Sequence, residues 1–512
     1  MELEAGCGGC FCGLRFRSPK SRNKTSVALV EETKKTITSP QVNERGETAS
    51  LPESQNPPPS YLHYINHWYG SPDITTTNTL WTPEKPPAYS EEEDIPPEVL
   101  ATMEKHLKAL SPQLRQLSLD IWGRYAHDRL TALMTSHGFD VTPHYLGLAT
   151  AFRAAYTHAP TSKSPNEKGA ARSTRVIGVN AEMDALPGIG HACGHNLIAM
   201  AGVGVALALK AALAAHGVPG TIVLLGTPAE EGGGGKIQLL ERGAYREMDA
   251  CVMCHPAAGP ENSAMMWKSV AAQHMEIEFF GHGAHAGAAP WEGQNALDAA
   301  FVAYSAISAL RQQIKPDHRV HGVVSGRNWA PNVIPDYALL KYIVRAPTWA
   351  ELEVLRERIL ACFQAAALAT ACKVKISMDH GYYELRNNSV LGGVFSRVVG
   401  HQYGMGMSTA EGINASTDFG NVTFELPAIH PAYAIRTEPN GANHTPQFAQ
   451  SARSKQAHEQ TLKVALGLAA VGFKVLDDAK FMAKAKEAFE AAKAAHEATT
   501  SFASDVALAH GE

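Results

Sequence analysis

The sequence has no marked excess of charge of either sign. Its 512 residues contain 45 Lys and Arg against 50 Asp and Glu, which gives a formal net charge of -5 at pH 7. Proteins that bind nucleic acid need a basic surface to neutralise phosphates, so this balance argues against that class. We find no apolar run that predicts a membrane-spanning helix, and the N-terminus lacks the charged start and apolar core of a secretory signal. We therefore expect a soluble, cytoplasmic protein.

Cysteine is also scarce, with 8 in the chain, and in the cytoplasm these thiols are expected to be reduced. Cys7, Cys10 and Cys12 lie close together near the N-terminus, a pattern that fits acylated or metal-binding thiols but favours unmodified ones. Cys251 and Cys254 form a Cys-x-x-Cys pair inside an apolar stretch. Because no redox motif surrounds that pair, we interpret both as packing thiols.

Residues 1–95 differ from the rest of the chain in composition. They are rich in Pro, Ser, Thr and Asn and lack helical or strand periodicity, which predicts a mostly disordered region. Pro58–Tyr61 and Pro86–Tyr89 both match the Pro-Pro-x-Tyr pattern that WW domains bind as a polyproline II turn. The two segments predict either a WW-domain partner or a proline-rich spacer.

The most informative stretch is Arg175–Asn196, where a predicted buried strand, Val176–Val179, ends in a loop of metal-ligand residues. Asp184 follows the strand, and Cys193 and His195 lie two residues apart, so that both can face one ion. Thiolate and imidazole are ligands that zinc and similar ions prefer. This stretch predicts a metallohydrolase.

Two further predicted strands also end in ligand-type residues. Glu230 and Glu231 follow Gly220–Gly226, and His255 follows Ala250–Met253. A metal hydrolase needs one carboxylate to bind the metal and another to move a proton. Since ligands bind at the carboxyl ends of the strands in open α/β sheets, we predict an α/β fold whose mostly parallel sheet carries the site at that edge.

The predicted order of elements then changes to strand, helix, strand, strand, helix, strand, with the helices over 295–313 and 350–369. This order predicts an inserted α+β domain. The predicted division is 1–95 disordered, 96–271 first catalytic part, 272–381 inserted domain, 382–476 second catalytic part, and 477–512 tail. The second catalytic part includes the predicted strand Ala432–Ile435 and His444 in a polar loop. The tail is predicted to be a solvated helix with a frayed end.

A run of glycines, Gly232–Gly235, precedes Lys236 and invites interpretation as a phosphate-binding loop. However, no Ser or Thr follows the lysine, and the glycine spacing does not fit that motif. Nucleotide binding is therefore not predicted.

These motifs together resemble peptidase family M20, which contains aminoacylases, carboxypeptidases and amidohydrolases. The resemblance extends from about Pro96 to Phe473. Its motifs are Glu182–Pro187, His191–His195, Pro228–Gly232, Gly283–Ala286, Pro331–Pro335 and His444–Pro446. Trp291–Asp298 and Arg311–Gln313 look most like a dipeptidase-like cytosolic branch of the family.

The resemblance implies a split catalytic domain with an inserted dimerisation, or lid, domain. It also implies that one or two divalent ions per subunit are held by Cys193, His195, Glu231, His255 and His444. Glu230 is implied as the general base, and Asp184 as a carboxylate that orients the ligands. The wider family has a histidine where Glu182 stands, so the choice between zinc and manganese remains open.

The resemblance further implies a homodimer in which His285 and Asn332 of the lid reach the partner's active site. Arg345, at the end of a predicted strand, resembles a clamp for the substrate carboxylate, and a surface ion pair is the alternative.

We predict a metal-dependent amidohydrolase or dipeptidase that cleaves small dipeptides such as β-alanyl-lysine, with N-acyl amino acids as alternative substrates. An adaptor that binds WW domains through its tail and keeps a non-catalytic hydrolase fold is the alternative from another class.

Overall fold

The computed structural model describes residues 82–83, 95–123, 125–159, 174–409 and 415–509, with side chains described between 95 and 496. Both Pro-Pro-x-Tyr segments and the three N-terminal cysteines lie outside the described residues. The helices are α1 Pro97–Gly123, α2 Ala126–Ser136, α3 His195–His216, α4 Gly235–Glu241, α5 Ala296–Leu310, α6 Trp349–Ala369, α7 Ser389–Tyr403, α8 Phe419–Glu425, α9 Pro446–Ser451, α10 Lys455–Asp477 and α11 Ala479–Ala509. The strands are β1 Thr82–Pro83, β2 Asp140–Pro143, β3 Phe152–His158, β4 Val176–Glu182, β5 Gly220–Thr227, β6 Ala250–Val252, β7 His255–Ala258, β8 Ser263–Met265, β9 Ala271–Phe280, β10 Arg319–Gly326, β11 Tyr337–Ala346, β12 Lys373–Met378, β13 Gly406–Thr409, β14 Ala428–Ile429 and β15 Ala432–Ile435.

The catalytic domain is built on a sheet in the order β14-β6-β4-β5-β3-β2. The four strands from β14 to β5 pair in parallel, and β3 and β2 add to the other edge antiparallel. Helices α1, α3 and α10 pack together beside this sheet through one large apolar core. The predicted α/β fold class, with its split catalytic domain and inserted α+β domain, is confirmed.

A second sheet in the same domain, β1-β13-β8-β15-β7, was not predicted. The strand Ala432–Ile435 forms where expected, but it pairs with β7 and β8 rather than with the main sheet. The strand predicted at Ala250–Met253 ends at Val252, and His255 is the first residue of β7. His255 therefore lies where the chain crosses from the first sheet to the second.

The prediction that no apolar run could span a membrane is wrong for helix α3. This helix is long and apolar enough to cross a membrane, with a mean hydropathy of 2.1 over its most apolar window. However, 83% of that window is buried inside the protein. A helix that is apolar on all sides is also what a fully enclosed core position requires, and α3 occupies such a position.

The inserted segment forms its own antiparallel sheet in the order β10-β11-β9-β12, and we call this unit the lid. Helices α5 and α6 cover one face of the sheet, and the apolar side chains between them make a separate core that includes Phe279, Tyr342 and Phe363. The predicted order of elements is correct. The first helix ends at Leu310, and a short 3₁₀ turn, Arg311–Gln313, follows it.

The tail helix α11 is not wholly solvated as predicted. Phe481, Met482 and Ala485 in its first two turns are buried in the core of the catalytic domain. The side chain of Asn388 also donates a hydrogen bond to the carbonyl of Ala485 at 2.8 Å. The start of α11 is therefore part of the folded domain.

Candidate metal centre

The loop that carries Cys193 and His195 turns sharply at Gly194. Gly194 has a φ of +82°, and a Cβ atom there would lie 2.5 Å from Cγ of Pro256. Only glycine adopts this conformation without strain and also fits that space. Helix α3 begins at the next residue, His195, so the turn places the thiol and the imidazole at the start of a buried helix.

Two histidines point their Nε2 atoms toward this thiol or its carboxylate neighbours. His255 Nδ1 lies 2.8 Å from the carbonyl oxygen of Pro256, and His195 Nδ1 lies 3.0 Å from that of Asp184. A histidine that donates through Nδ1 is left with Nε2 available for a metal. His255 Nε2 is 3.4 Å from Cys193 Sγ, and His195 Nε2 is 3.9 Å from the carboxylate of Glu231.

Glu231 and His444 complete the cluster from two other loops. Their Oε1 and Nε2 atoms are 3.3 Å apart, and the backbone N–H of Glu231 donates to the carboxylate of Asp184 at 3.0 Å. His444 has a φ of 69° and Ala229, just before the two glutamates, has a φ of 63°. Left-handed backbone at such residues costs about 1–3 kcal/mol and is concentrated at functional sites.

Cys193 belongs to two groups of potential ligands. Its sulfur lies within 4.8 Å of nitrogen atoms of His195 and His255, and the same limit holds for its group with Glu231 and His444. The structure thus brings together all five residues implied as metal ligands, with the thiol shared between two trios. These residues could hold one or two divalent ions.

The donor atoms also fit a divalent ion chemically. His195 Nε2 is buried and has no hydrogen-bond partner among the described residues. Leaving such an atom unpaired is costly, so it needs a partner that the protein does not supply. One sulfur, three imidazoles and a carboxylate form a donor set that suits a divalent metal ion.

The charges of the cluster favour a cation. Burial opposes ionisation of Cys193, but the neighbouring His255 and His195 outweigh it and lower the pKa of the thiol to about 5. The thiolate is the form that binds metals. Hydrogen bonds to Cys193 and Glu231 raise the pKa of His444 to about 10, which reflects the negative charge of these two neighbours.

Glu230 lies beside the ligands in a different environment. Burial, reinforced by the negative charge of Glu182, raises the pKa of its carboxyl group well above the ordinary value. Its Oε2 is 3.9 Å from His195 Nε2, and its backbone carbonyl accepts a hydrogen bond from the hydroxyl of Tyr382 at 2.9 Å. Glu230 is therefore placed to carry a proton next to the ligands.

The lid residues are arranged differently. The exposed His285 accepts hydrogen bonds at Nδ1 from the backbone of Gly287 and Ala288, at 3.2 and 3.0 Å. No hydrogen bond or ion pair in the described part of the chain joins His285 or Asn332 to the ligands of the same subunit. By contrast, Arg345 reaches the catalytic domain, where it donates to the hydroxyl of Ser416 at 2.8 Å.

Three buried charged residues behind the ligands were not assigned a role from the sequence. Lys236 lies 2.5 Å from Glu182 and 2.6 Å from Asp418, and all three side chains are fully buried. The only sequence feature that drew attention to Lys236 was its position directly after the glycine run. That pattern is more typical of a phosphate-binding loop than of a buried ion pair.

Comparisons with known proteins show the family of this chain. The model of peptidase family M20/M25/M40 matches residues 178–509. This chain belongs to that family. The chain is 42% identical to the mouse Xaa-Arg dipeptidase over 69% of this chain and 81% of the relative. It is 39% identical to the human Xaa-Arg dipeptidase, over 74% and 89% of the two chains. The predicted enzyme class, a hydrolytic metallopeptidase, is confirmed.

Solved structures show the same fold. An aminobenzoyl-glutamate utilization protein from Klebsiella pneumoniae matches with a TM-score of 0.56 and 18% identity, over 73% of this chain and 98% of that one. A dinuclear metal-binding M20 peptidase from Bacillus subtilis matches with a TM-score of 0.52 and 17% identity, over 72% and 99%.

Proposed function

We propose that this protein is a cytoplasmic, metal-dependent dipeptidase that cleaves dipeptides with a basic C-terminal residue. The observation that supports this proposal most directly is the cluster of five ligand-type side chains around Cys193, with Glu230 next to it. The choice of a basic residue is supported by the relatives named Xaa-Arg dipeptidase. Arginine or lysine at that position also agrees with the β-alanyl-lysine predicted from the sequence.

In this proposal Cys193, His195, Glu231, His255 and His444 hold one or two zinc or manganese ions. A bound divalent ion supplies Lewis-acid activation of water and of the amide carbonyl. Asp184 holds the Nδ1 side of His195 and the backbone of Glu231, so it fixes the direction of two ligands.

Glu230 moves the proton. Its carboxylate takes a proton from the attacking water at one of its Oε atoms and passes that proton to the nitrogen of the leaving amine. The hydrogen bond from Tyr382 fixes the backbone at Glu230, and burial excludes bulk water that would compete for the proton. The residue therefore serves first as base and then as acid.

Arg345 binds the free carboxylate of the dipeptide. It lies at the end of β11 and contacts the catalytic domain through Ser416. Burial lowers the pKa of the Arg345 guanidinium, and the negative charge of Glu230 opposes that shift, so the two groups interact electrostatically. A cavity of about 610 Å³ opens on the uncovered face of the lid sheet and is lined by His274, His321 and Asp379. Arg345 Nε lies 3.4 Å from Nε2 of His321, so this cavity adjoins the proposed clamp and has room for a long side chain.

A homodimer completes the site in this proposal. The outer face of α5 exposes Phe301 and Tyr304, at 58% and 47%, and β10 is the edge strand of the lid sheet. Exposed aromatic residues on a helix and an exposed edge strand are each surfaces that a second copy can cover. His285 and Asn332 then act on the partner's substrate, with His285 stabilising the oxyanion.

The test compares kcat/KM for alanyl-arginine, β-alanyl-lysine, their C-terminal amides and N-acetyl-arginine. The clamp predicts that amidation lowers kcat/KM strongly, because it removes the charge and one acceptor oxygen. The Arg345→Gln variant should lose most of this discrimination. Equal kcat/KM values for acid and amide would exclude Arg345 as a clamp for the substrate carboxylate. A preference for N-acetyl-arginine would instead identify an N-acyl amino acid amidohydrolase.

The two Pro-Pro-x-Tyr segments lie outside the described residues, so a WW-domain partner stays a prediction that is compatible with catalysis. Binding of the full chain to a panel of WW domains should weaken when Tyr61 and Tyr89 are both replaced by Ala. Unchanged binding would leave these segments as a spacer.

A further inference from the structure

Lys236 lies behind the candidate metal centre, at the start of α4. Its side chain is completely buried, and its Nζ is 2.5 Å from Oε1 of Glu182 and 2.6 Å from Oδ1 of Asp418. The backbone N–H of Lys236 also donates to Oδ2 of Asp418 at 2.9 Å. Asp418 thus holds this lysine at both its backbone and its ammonium group.

A lone buried lysine would lose its charge, because burial disfavours the ammonium form. Burial does act to lower the pKa of Lys236, but Asp418 and Glu182 outweigh it and keep the pKa well above the ordinary value. The lysine is therefore a fixed positive charge that is inaccessible to solvent.

The same acidic residues would otherwise suit a metal ion. Carboxylate oxygens of Glu182, Glu230 and Asp418 lie within 4.8 Å of one another, and we call this group the inner carboxylate cluster. Manganese and magnesium favour sites made of such oxygens. The ammonium group already forms ion pairs with two of these three carboxylates, Glu182 and Asp418.

We propose that the Lys236 ammonium group takes the place of a metal ion in the inner carboxylate cluster. Divalent ions then bind only to the ligands around Cys193. This inference rests on the metal centre proposed above.

A second consequence concerns Glu182, whose Oε1 is held by Lys236 while its Oε2 remains 3.6 Å from His195 Nε2. Lys236 is thus a positioning residue for the carboxylate that faces a metal ligand.

The test counts bound ions in the full-length protein after dialysis against Mn²⁺, by elemental analysis per subunit. Lys236→Ala removes the ammonium group and leaves three carboxylates with space between them, so it should bind about one ion more per subunit than wild type. The double variant Lys236→Ala/Asp418→Asn should return to the wild-type count. Lys474→Ala is the matched control, because it removes another buried lysine, on α10, without altering the cluster.

A folded Lys236→Ala protein with the wild-type count would overturn the inference and leave the proposed function intact. Wild-type protein that binds no ion at all would instead overturn both. If Lys236→Ala does not fold, anomalous scattering from Mn²⁺-loaded wild-type crystals locates the bound ions instead. Manganese peaks only beside Cys193 would support the inference, and a peak between Glu182 and Asp418 would contradict it.

Discussion

Glu230 and Glu231 are adjacent in the sequence, yet their surroundings give them opposite properties. The pKa of Glu230 is raised by burial and by Glu182. Burial also acts on Glu231, but the neighbouring His444 and His195 outweigh it and lower its pKa. A carboxyl group that holds a proton readily suits proton transfer, whereas one that stays ionised suits metal binding.

This difference predicts separate effects of matched substitutions. Glu230→Gln should keep its bound metal and lose roughly 10²-fold or more in kcat, the usual scale for an acid-base group. Glu231→Gln should lose bound metal together with activity. Metal content and kcat, measured on the same preparations, test both variants. A Glu230→Gln enzyme with a near-normal rate would exclude this residue as the proton carrier.

The proximity of the five candidate ligand residues could be predicted, because cysteine, histidine and glutamate after successive strands form a recognisable pattern. The partnership of Lys236 with Glu182 and Asp418 could not be predicted in the same way. These residues are far apart in the chain, and an ion pair between them has no sequence spacing of its own. Only the packing of α4 against the segment before α8 brings them together.

Among the secondary-structure elements, α1 and α10 contact one another through a hydrogen bond between Ser111 and His458. The Ser111 hydroxyl lies 2.9 Å from His458 Nε2. Burial, assisted by the charge of Arg115, lowers the pKa of His458 to about 4. The folded protein therefore resists protonation of a group that the unfolded chain protonates near pH 6.5.

The sign of the pH effect follows directly. His458 contributes stability above pH 6.5, and that contribution is lost as the pH falls toward about 4, because the unfolded state binds the proton more tightly. His458→Gln keeps a hydrogen-bonding side chain but cannot titrate, so its Tm should fall less between pH 7 and pH 4.5. Parallel Tm profiles for variant and wild type would contradict this role.

The two helices of the lid could be predicted nearly to their ends, since hydrophobic periodicity and helix-breaking residues define them. The second sheet could not, because β7, β8, β13 and β15 are short and join by pairing between distant segments. Local sequence does not specify which sheet a buried strand of four residues joins.

At the scale of the whole molecule, the proposed function has two subunits in each functional unit. His285 has no hydrogen bond or ion pair with the ligands of its own chain in the described residues, whereas Arg345 reaches its own catalytic domain. In the proposed dimer, Arg345 serves the site of its own subunit and His285 serves the site of the partner.

Mixing two inactive variants tests this arrangement. When Glu230→Gln and His285→Ala chains are co-refolded in equal amounts, half of the dimers are mixed, and each mixed dimer has one intact site if His285 acts across the interface. Activity should then recover to about a quarter of the wild-type level. No recovery, despite mixed dimers confirmed by mass spectrometry, would place His285 in its own subunit's site or outside catalysis.

The central claim is that a metal centre built around Cys193 hydrolyses dipeptides. The most direct measurement is hydrolysis of alanyl-arginine by chelator-treated protein before and after addition of Zn²⁺ or Mn²⁺, in wild type and in Cys193→Ser. We predict that metal-free wild type is inactive, that one of the two ions restores turnover, and that folded Cys193→Ser binds less metal and recovers little activity. Full activity of the metal-free protein, or unchanged metal binding in Cys193→Ser, would contradict the account.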